Sequence, residues 1–381
     1  MYWYDRCDGI AMLITLVRMG QPMATKQVPT LADIATNVVI KWNRGNLIKP
    51  VTRVRIPDTS VTRSVNGTNV TKVIKNISMV SFPSALYSYC ETRKKHVAVP
   101  SFSLPAHISC PGAIDNESSY QAILRASIKR NASKLDISES NDHVSRFVCS
   151  VCYASKGTFR FGDVVCAHMA RYNDVLEACK SYVESRDSID ETVLIESIYS
   201  SILNNKPLSS YYNANHAIRW ISDLTHAFYV SLNETVLSCK CCTKRIRMHM
   251  SGDLFSPAYC HMLRIVFAVL FKLVPDLMVW FPTRNTHDGI GARLWNATLQ
   301  LANSHPNITI VGSGLQIDVP LESDPIYKSG LDSLSMVASS ADIAVEHGYT
   351  PCHKQTESPT HTCDHCVSCY IRGNRQAFIE H

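Results

Sequence analysis

The chain has 381 residues, 45% hydrophobic and 18% charged, an ordinary globular composition with length enough for one large α/β domain or two smaller ones. The net charge of +6, read as spread along the chain, permits an anionic partner such as nucleic acid without requiring one. No apolar run reaches the roughly eighteen residues a membrane-spanning helix needs, and fifteen cysteines in so long a chain argue for reduced thiols and metal over a disulfide framework.

The short apolar run Gly9 to Val17 is flanked by Asp5, Arg6 and Asp8 and lacks a small-residue cleavage site, unlike a signal-peptide core. The first twenty or so residues read as an upstream extension, with Met19 or Met23 as alternative starts. Residues 24–80, rich in Val, Thr, Asn and Ile with Pro and Gly punctuation, predict short strands and loops. Residues 1–80 are therefore set apart as an N-terminal extension. Asn-x-Ser/Thr triplets at Asn66, Asn76 and Asn233 matter only in a secretory pathway and are taken as chance. Residues 81–115 are Ser- and Pro-rich and end near Cys110-Pro-Gly. Residues 116–147 predict a helix and then an insertion, Ser133 to His143, before the knuckle Cys149-Ser-Val-Cys152-Tyr153.

Helical spacing takes over at 163–185 through Val164, Val165, Met169, Tyr172, Val175 and Leu176, and continues in 188–205 and 214–232. The pattern then alternates. Arg245 to Asp253 predicts a strand and loop, and a helix follows to about Lys272 with Pro257 in its first turn. Asp276 to Arg284 predicts a second strand and loop, 288–303 a helix, and Asn307 to Gly314 a third strand. Residues 333–338 and 342–346 predict two more short strands. Such alternation implies an α/β fold with a parallel sheet, a partial β/α barrel being one form of it, decorated by irregular Cys-rich metal-binding loops. The core is assigned to 81–350 and a Cys-rich tail to 351–381. In such sheets the loops at the carboxyl ends of the strands carry the chemistry.

Two cysteine sets have ligand spacing. Cys363, Cys366 and Cys369 stand at two-residue intervals and Cys352 lies eleven positions upstream, a set that suits an iron–sulfur cluster or zinc. Cys149 and Cys152 form a second pair, which Cys110 completes. Three thiolates on a 4Fe–4S cluster would leave one iron open to a substrate or cofactor, while a thioredoxin-like redox pair remains the alternative. Cys239-Lys-Cys-Cys242 is a weaker knuckle, because adjacent side chains diverge. Cys7, Cys90, Cys166, Cys179 and Cys260 suit core positions. Ser251, Gly252 and Asp253 follow one strand, and Thr283-Arg284 follows the next, so both would line one mouth of the sheet. Asp253 or Ser256 could equally cap the next helix. His249 reads as a packed core histidine. The phosphate-binding loop, the serine nucleophile elbow and the zinc-protease helix motif are all missing.

Taken in order, Cys110-Pro-Gly-Ala, Cys149-x-x-Cys-Tyr-Ala, Arg247-x-His-x-Ser-Gly-Asp253, Trp280 to Arg284 and the terminal cysteines with Ala377-Phe-Ile-Glu-His381 resemble the bacteriophage gene product 88 family over roughly residues 80–381. The resemblance implies an iron–sulfur protein of viral origin in the cytoplasm of an infected bacterium, with one or two 4Fe–4S clusters. A looser similarity reaches radical S-adenosylmethionine-like phage proteins. There Cys110, Cys149 and Cys152 would hold the cluster, Tyr153, Ser251 to Asp253 and Arg284 would line a mouth for S-adenosylmethionine, and the tail would hold an auxiliary cluster. The chain lacks the C-x3-C-x2-C run usual in radical enzymes. A non-catalytic iron–sulfur or zinc protein contacting nucleic acid or a phage or host protein is the competing expectation, with no membrane partner.

Overall fold

The computed structural model describes residues 47–48, 52–65, 68–82, 87–90, 92–106, 108–130, 147–152, 162–205, 214–237, 242–356 and 366–380. These fall within one compact unit, residues 46–381. The first elements are small. Strands β1 (Leu47–Ile48), β4 (Tyr87–Cys90) and β5 (Lys95–Ala98) form a three-stranded sheet, and β2 (Thr59–Val65) and β3 (Thr68–Ile74) form a separate antiparallel ribbon. In the ribbon Val65 pairs with Thr68, and the sequence between them, Asn66-Gly67, is the strongest short-range hairpin signal.

The chief element is a seven-stranded sheet. Its strands are β6 (Ser101–Phe102), β7 (Arg245–Met248), β8 (Met278–Thr283), β9 (Ile308–Ile317), β10 (Ser333–Ala338), β11 (Thr350–Pro351) and β12 (Arg375–Ile379). The order across the sheet is β11-β12-β10-β9-β8-β7-β6, and every pairing is parallel. The sheet is open among the described residues, ending at β6 and β11.

Helices α1 (Glu117–Arg130), α2 (Gly162–Ser185), α3 (Glu191–Leu203) and α4 (His216–Leu232) lie between β6 and β7 in sequence. Helix α5 (Pro257–Leu273) joins β7 to β8, and α6 (Ala292–Ala302) joins β8 to β9. Ser256 caps α5 by accepting from Tyr259 N, and Pro257 fills the first turn, where a missing N–H costs nothing. Asp190 and Asn215 cap α3 and α4 in the same manner.

One sheet face is aliphatic. Ile246, Met248, Val279, Phe281, Ile308, Ile310 and Met336 join the principal core with α4, α5 and α6. Phe267 of α5 meets Phe281 edge to face, ring centroids 5.5 Å apart. The opposite face is aromatic and cationic. Arg247 stacks on Trp280 at 4.2 Å, Arg245 lies 5.6 Å from the Tyr370 ring, and Val311 and Phe378 pack beside them.

Two sequence expectations change here. Residues 342–346 form no strand: Ala341–Glu346 is a short helix, α7, because Ser340 accepts from Ile343 N and nucleates a helical turn. The strand that fills the place beside β10 is instead β12, from the Cys-rich tail. A one-turn helix, α8 (His353–Thr356), follows β11. Cys90, Cys179 and Cys260 are buried core thiols as expected, and Cys166 packs against the core. The eleven described cysteines form no disulfide with one another. Cys7, Cys239, Cys241 and the Ser133 to His143 insertion lie outside the described residues.

Candidate metal centre

The parallel order brings four strand exits to one edge, those of β6, β7, β8 and β9. The exit of β7 is Ser251-Gly252-Asp253. It packs on the chain leaving β6 through Leu104 N to Ser251 O (3.0 Å), Ser251 Oγ to Leu104 O (2.6 Å) and Asp253 N to Ser109 O (3.1 Å). Gly252 has φ of +82°, and a Cβ there would stand 2.5 Å from Ser109 Oγ, so both conformation and space require glycine.

Asp253 is the clamp between β7 and β8. Its Oδ1 accepts from Thr283 Oγ1 and Leu254 N, and its Oδ2 accepts from Arg284 N, each at 2.7 Å. Burial raises its pKa to about 6 against the pull of these donors and of the Arg284 charge. Both oxygens are engaged, so Asp253 fixes the Thr283–Asn285 loop. The caps are divided: Ser256, not Asp253, caps α5.

That loop aims Arg284 at the first cysteine set. Burial alone would lower the guanidinium pKa, but the charges of Cys149, Cys152 and Cys110 and a hydrogen bond to the Cys152 sulfur outweigh it and hold the group above its ordinary value. Arg284 Nε is shut off from solvent and has no hydrogen-bond partner among the described residues. Cys149 is buried and its pKa is raised, chiefly by burial, while Arg284 and the Ile114 N–H partly offset this. Cys110 and Cys152 are half-buried.

Three loops therefore converge on one arginine. Cys110-Pro-Gly112 lies so close to the β8 exit that a Cβ on Gly112 would stand 2.1 Å from Arg284 O. His287 Nε2 adds a contact to Gly112 O at 3.3 Å. The Cys149 turn, Val148–Val151, is fixed by a bridge from Phe147 to Gln316 on β9 and by Cys152 N to Cys149 O at 3.3 Å. Asn285 Oδ1 and Thr286 Oγ1, both buried in the same exit, also have no partner among the described residues. Among the described residues no three His, Cys, Asp or Glu side chains stand positioned to grip a single metal ion.

Tyr153 and Cys363 lie outside the described residues. The other tail cysteines sit elsewhere. Cys352 N donates to Ala377 O (2.8 Å) just past β11, and Cys366 O accepts from Arg245 Nη1 (2.8 Å) at the amino end of β7. Cys369 packs on the Trp280, Val311 and Tyr370 cluster. Cys366 and Cys369 thus overlie the amino-terminal half of the sheet, while Cys110, Cys149 and Cys152 occupy its carboxyl edge.

His249 is 1% exposed, with Nε2 2.9 Å from Tyr259 Oη, as a core histidine would be. Its φ of +53° turns the chain out of β7 toward Ser251. The sequence reading missed His168, whose Nδ1 lies 3.1 Å from Ser251 Oγ and whose pKa burial lowers to about 3. It also missed the Arg247–Trp280 stack. Neither has a local signature: each pairs residues far apart in the chain.

Residues 209–372 match the family model described as Gene product 88. The resemblance expected from the motifs thus holds over a span that takes in strands β7 to β11, narrower than residues 80–381. The gene product 88 segment contains Ser251, Gly252, Asp253, Arg284, Cys352, Cys363, Cys366 and Cys369, and leaves Cys110, Cys149 and Cys152 outside it. No curated protein and no solved structure matches the chain. Among the described residues no helix is long and apolar enough to cross a membrane.

Proposed function

We propose that the protein is an iron–sulfur protein of the phage-associated gene product 88 type, acting in the cytoplasm of an infected bacterium. Its 4Fe–4S centre is held by Cys110, Cys149 and Cys152 at the carboxyl edge of the sheet. The observation that carries this reading is Arg284. A guanidinium set among three thiols, with Nε unpartnered among the described residues, needs negative charge beside it, and a thiolate-ligated cluster is anionic. A nucleophilic or thioredoxin-like role for Cys149 fits less well, because burial raises its pKa despite the arginine. The cluster would supply electron transfer or an open iron. The chain's own part is to place Arg284 through Asp253 and Thr283, and to close the site with Gly112.

The test is anaerobic purification with an absorption spectrum and analysis for iron, sulfide and zinc. Brown protein with iron and sulfide, lost in Cys149→Ser, is the expected outcome. Colourless protein with stoichiometric zinc would replace iron with a structural zinc site. A second reading, S-adenosylmethionine at an open iron, is favoured by the three-thiol count next to the Ser251–Asp253 backbone. Adding that cofactor to reduced protein would perturb the cluster's electron paramagnetic resonance signal. An indifferent spectrum would leave electron transfer or structure as the role. The tail set Cys352, Cys363, Cys366 and Cys369 is proposed as a second metal site.

A further inference from the structure

Helices α4, α5 and α6 pack on one face of the large sheet, and the other face departs from what a parallel sheet ordinarily shows. Parallel strands covered on both faces read as continuous hydrophobic runs. Here the strands alternate instead, as Arg245-Ile-Arg-Met248 in β7 and Ser333-Leu-Ser-Met336 in β10. The register puts Ser101, Thr309, Ser313, Ser333, Ser335 and Gln376 on the second face with Arg247 and Trp280. That face is not sealed. In β7, β9 and β10 the one residue that is not buried lies on it: Arg247, Ser313 and Val337. Pro282 and Phe378, both half-buried, continue the strip on β8 and β12.

The polar groups of this face are incompletely matched. Arg247 lies over the Trp280 ring, 4.2 Å from its centroid. Its Nε is shut off from solvent without a hydrogen-bond partner, and the side chain forms no ion pair with a described residue. None of the sheet's seven strands contains Asp or Glu. Trp280 is 3% exposed, and its Nε1 N–H has no partner among the described residues. Gln376 is 4% exposed; its Nε2 donates to Thr350 O (2.8 Å), while its Oε1 accepts from no described residue. Trp280 and Gln376 line one hollow with Val311, Cys369, Asn374 and Phe378.

Buried polar groups without partners are rare in native folds, and a charged one is the costliest. Two N–H donors and a positive charge in one stacked pair suit the oxygens of an anion. The Gln376 carbonyl suits a hydroxyl or amino group on the same molecule. We infer that the second face of the sheet binds a small organic anion, its phosphate or carboxylate oxygens held by Arg247 and the Trp280 N–H. Trp280 stands four residues before Arg284, roughly 13 Å of extended strand, so the ligand lies on the approach to the carboxyl edge. Binding at this face does not depend on the metal reading.

The test uses the full chain, purified anaerobically, with adenosine monophosphate, glycerol phosphate and succinate as probes. Calorimetry gives the affinity, and the indole N–H resonances of isotope-labelled protein give the place. The Trp280 resonance is the one missing from Trp280→Phe, and it should move when a probe binds. Arg247→Gln should weaken binding at least about tenfold, as loss of a charge-assisted hydrogen bond does, and Arg247→Lys should restore part of it. Trp280→Phe should weaken it about threefold to tenfold. Arg293→Gln, at an exposed site on α6, should leave it unchanged. Tighter binding of the two phosphates than of succinate assigns the anion as a phosphate, and the reverse as a carboxylate. Cys149→Ser and Cys366→Ser should bind as the parent does, which separates this face from both proposed metal sites. The inference is overturned if no probe moves the Trp280 resonance, or if Arg247→Gln, matched to the parent by circular dichroism, binds as tightly. It is overturned too if Arg247→Gln loses the tail's metal, which would make the arginine that metal's partner. Should Arg247→Gln fail to fold, unaltered binding in Trp280→Phe overturns it equally.

Discussion

Two sets of cysteines invite comparison. Cys110 comes from the loop after β6, the Cys149–Cys152 pair comes from a turn before α2 far along the chain, and all three bear on Arg284. Cys352, Cys366 and Cys369 lie within one short stretch of chain. Yet one is tied to β12, one lends its carbonyl to Arg245, and one packs on Trp280. Regular spacing brings side chains near one another only if the intervening backbone folds back. A parallel sheet gathers distant loops at one edge whatever their spacing, and a charged residue at that edge gives them a common object.

The comparison breaks most forcefully at Arg284. Arg284→Ala should cost about 3–5 kcal/mol in the cluster-loaded protein, the range for stripping the partner from a buried charge. Guanidinium melts with iron analysis would record it. Unchanged iron and stability would mean the thiols have no need of the arginine.

Paired cysteine variants sharpen it next. Cys149→Ser should abolish metal at the carboxyl edge and Cys366→Ser should remove only the tail's share, with stability falling in each case because metal binds the folded arrangement. If both variants lose the same metal, the two sets form one site.

Gly112→Ala should have a smaller effect, about 1–3 kcal/mol as for an overpacked core. The added methyl would press on the Arg284 carbonyl, so the cluster should weaken while the Arg245–Cys366 hydrogen bond persists. Unaltered hydrogen exchange at 283–286 would refute that coupling.

The smallest effect, at most about 1.4 kcal/mol over the first unit below pH 6.5, is in pH. Burial lowers His249 to about 3 from 6.5. A depressed histidine is neutral in the fold and binds its proton more readily unfolded. Its contribution to stability is therefore full above about pH 6.5 and is lost as pH falls toward about 3, by at most about 1.4 kcal/mol per unit. His249→Asn, which tolerates the positive φ, should flatten that slope. Exchange at Ser251–Asp253 should quicken with acid before exchange at Arg375–Ile379.

Much of the frame was legible in the sequence. The strand and helix around Pro257, the strands at 278–283 and 308–317, and the placement of Ser251–Asp253 and Arg284 on one edge all follow from periodicity and the parallel-sheet rule. The site's closeness was partly legible too, in Gly252, which stands where loops touch, whereas the approach of Gly112 to Arg284 was not. What escaped had no local cause. Residues 342–346 read as a strand because Ile343 and Val345 suit one, and Ser340 overrode them. Residues 375–379 read as part of a metal tail because their strand depends on a partner forty residues earlier, β10. His168 reaches Ser251 across 83 positions, and no periodicity records that.

The order of the sheet sets a schedule for the ribosome. β12 lies between β10 and β11, so the outer edge of Ser333–Ala338 has no permanent neighbour until Arg375–Ile379 has emerged. At about 5–20 residues per second that edge stands open for on the order of a few seconds, a template for any stray strand. β11 waits with it, since its register is against Gln376 and Ala377. The nascent chain must therefore keep its half-built parallel sheet out of other company until β12 arrives. Truncation ahead of residue 375 would turn that brief exposure into a permanent one, with aggregation as the visible result.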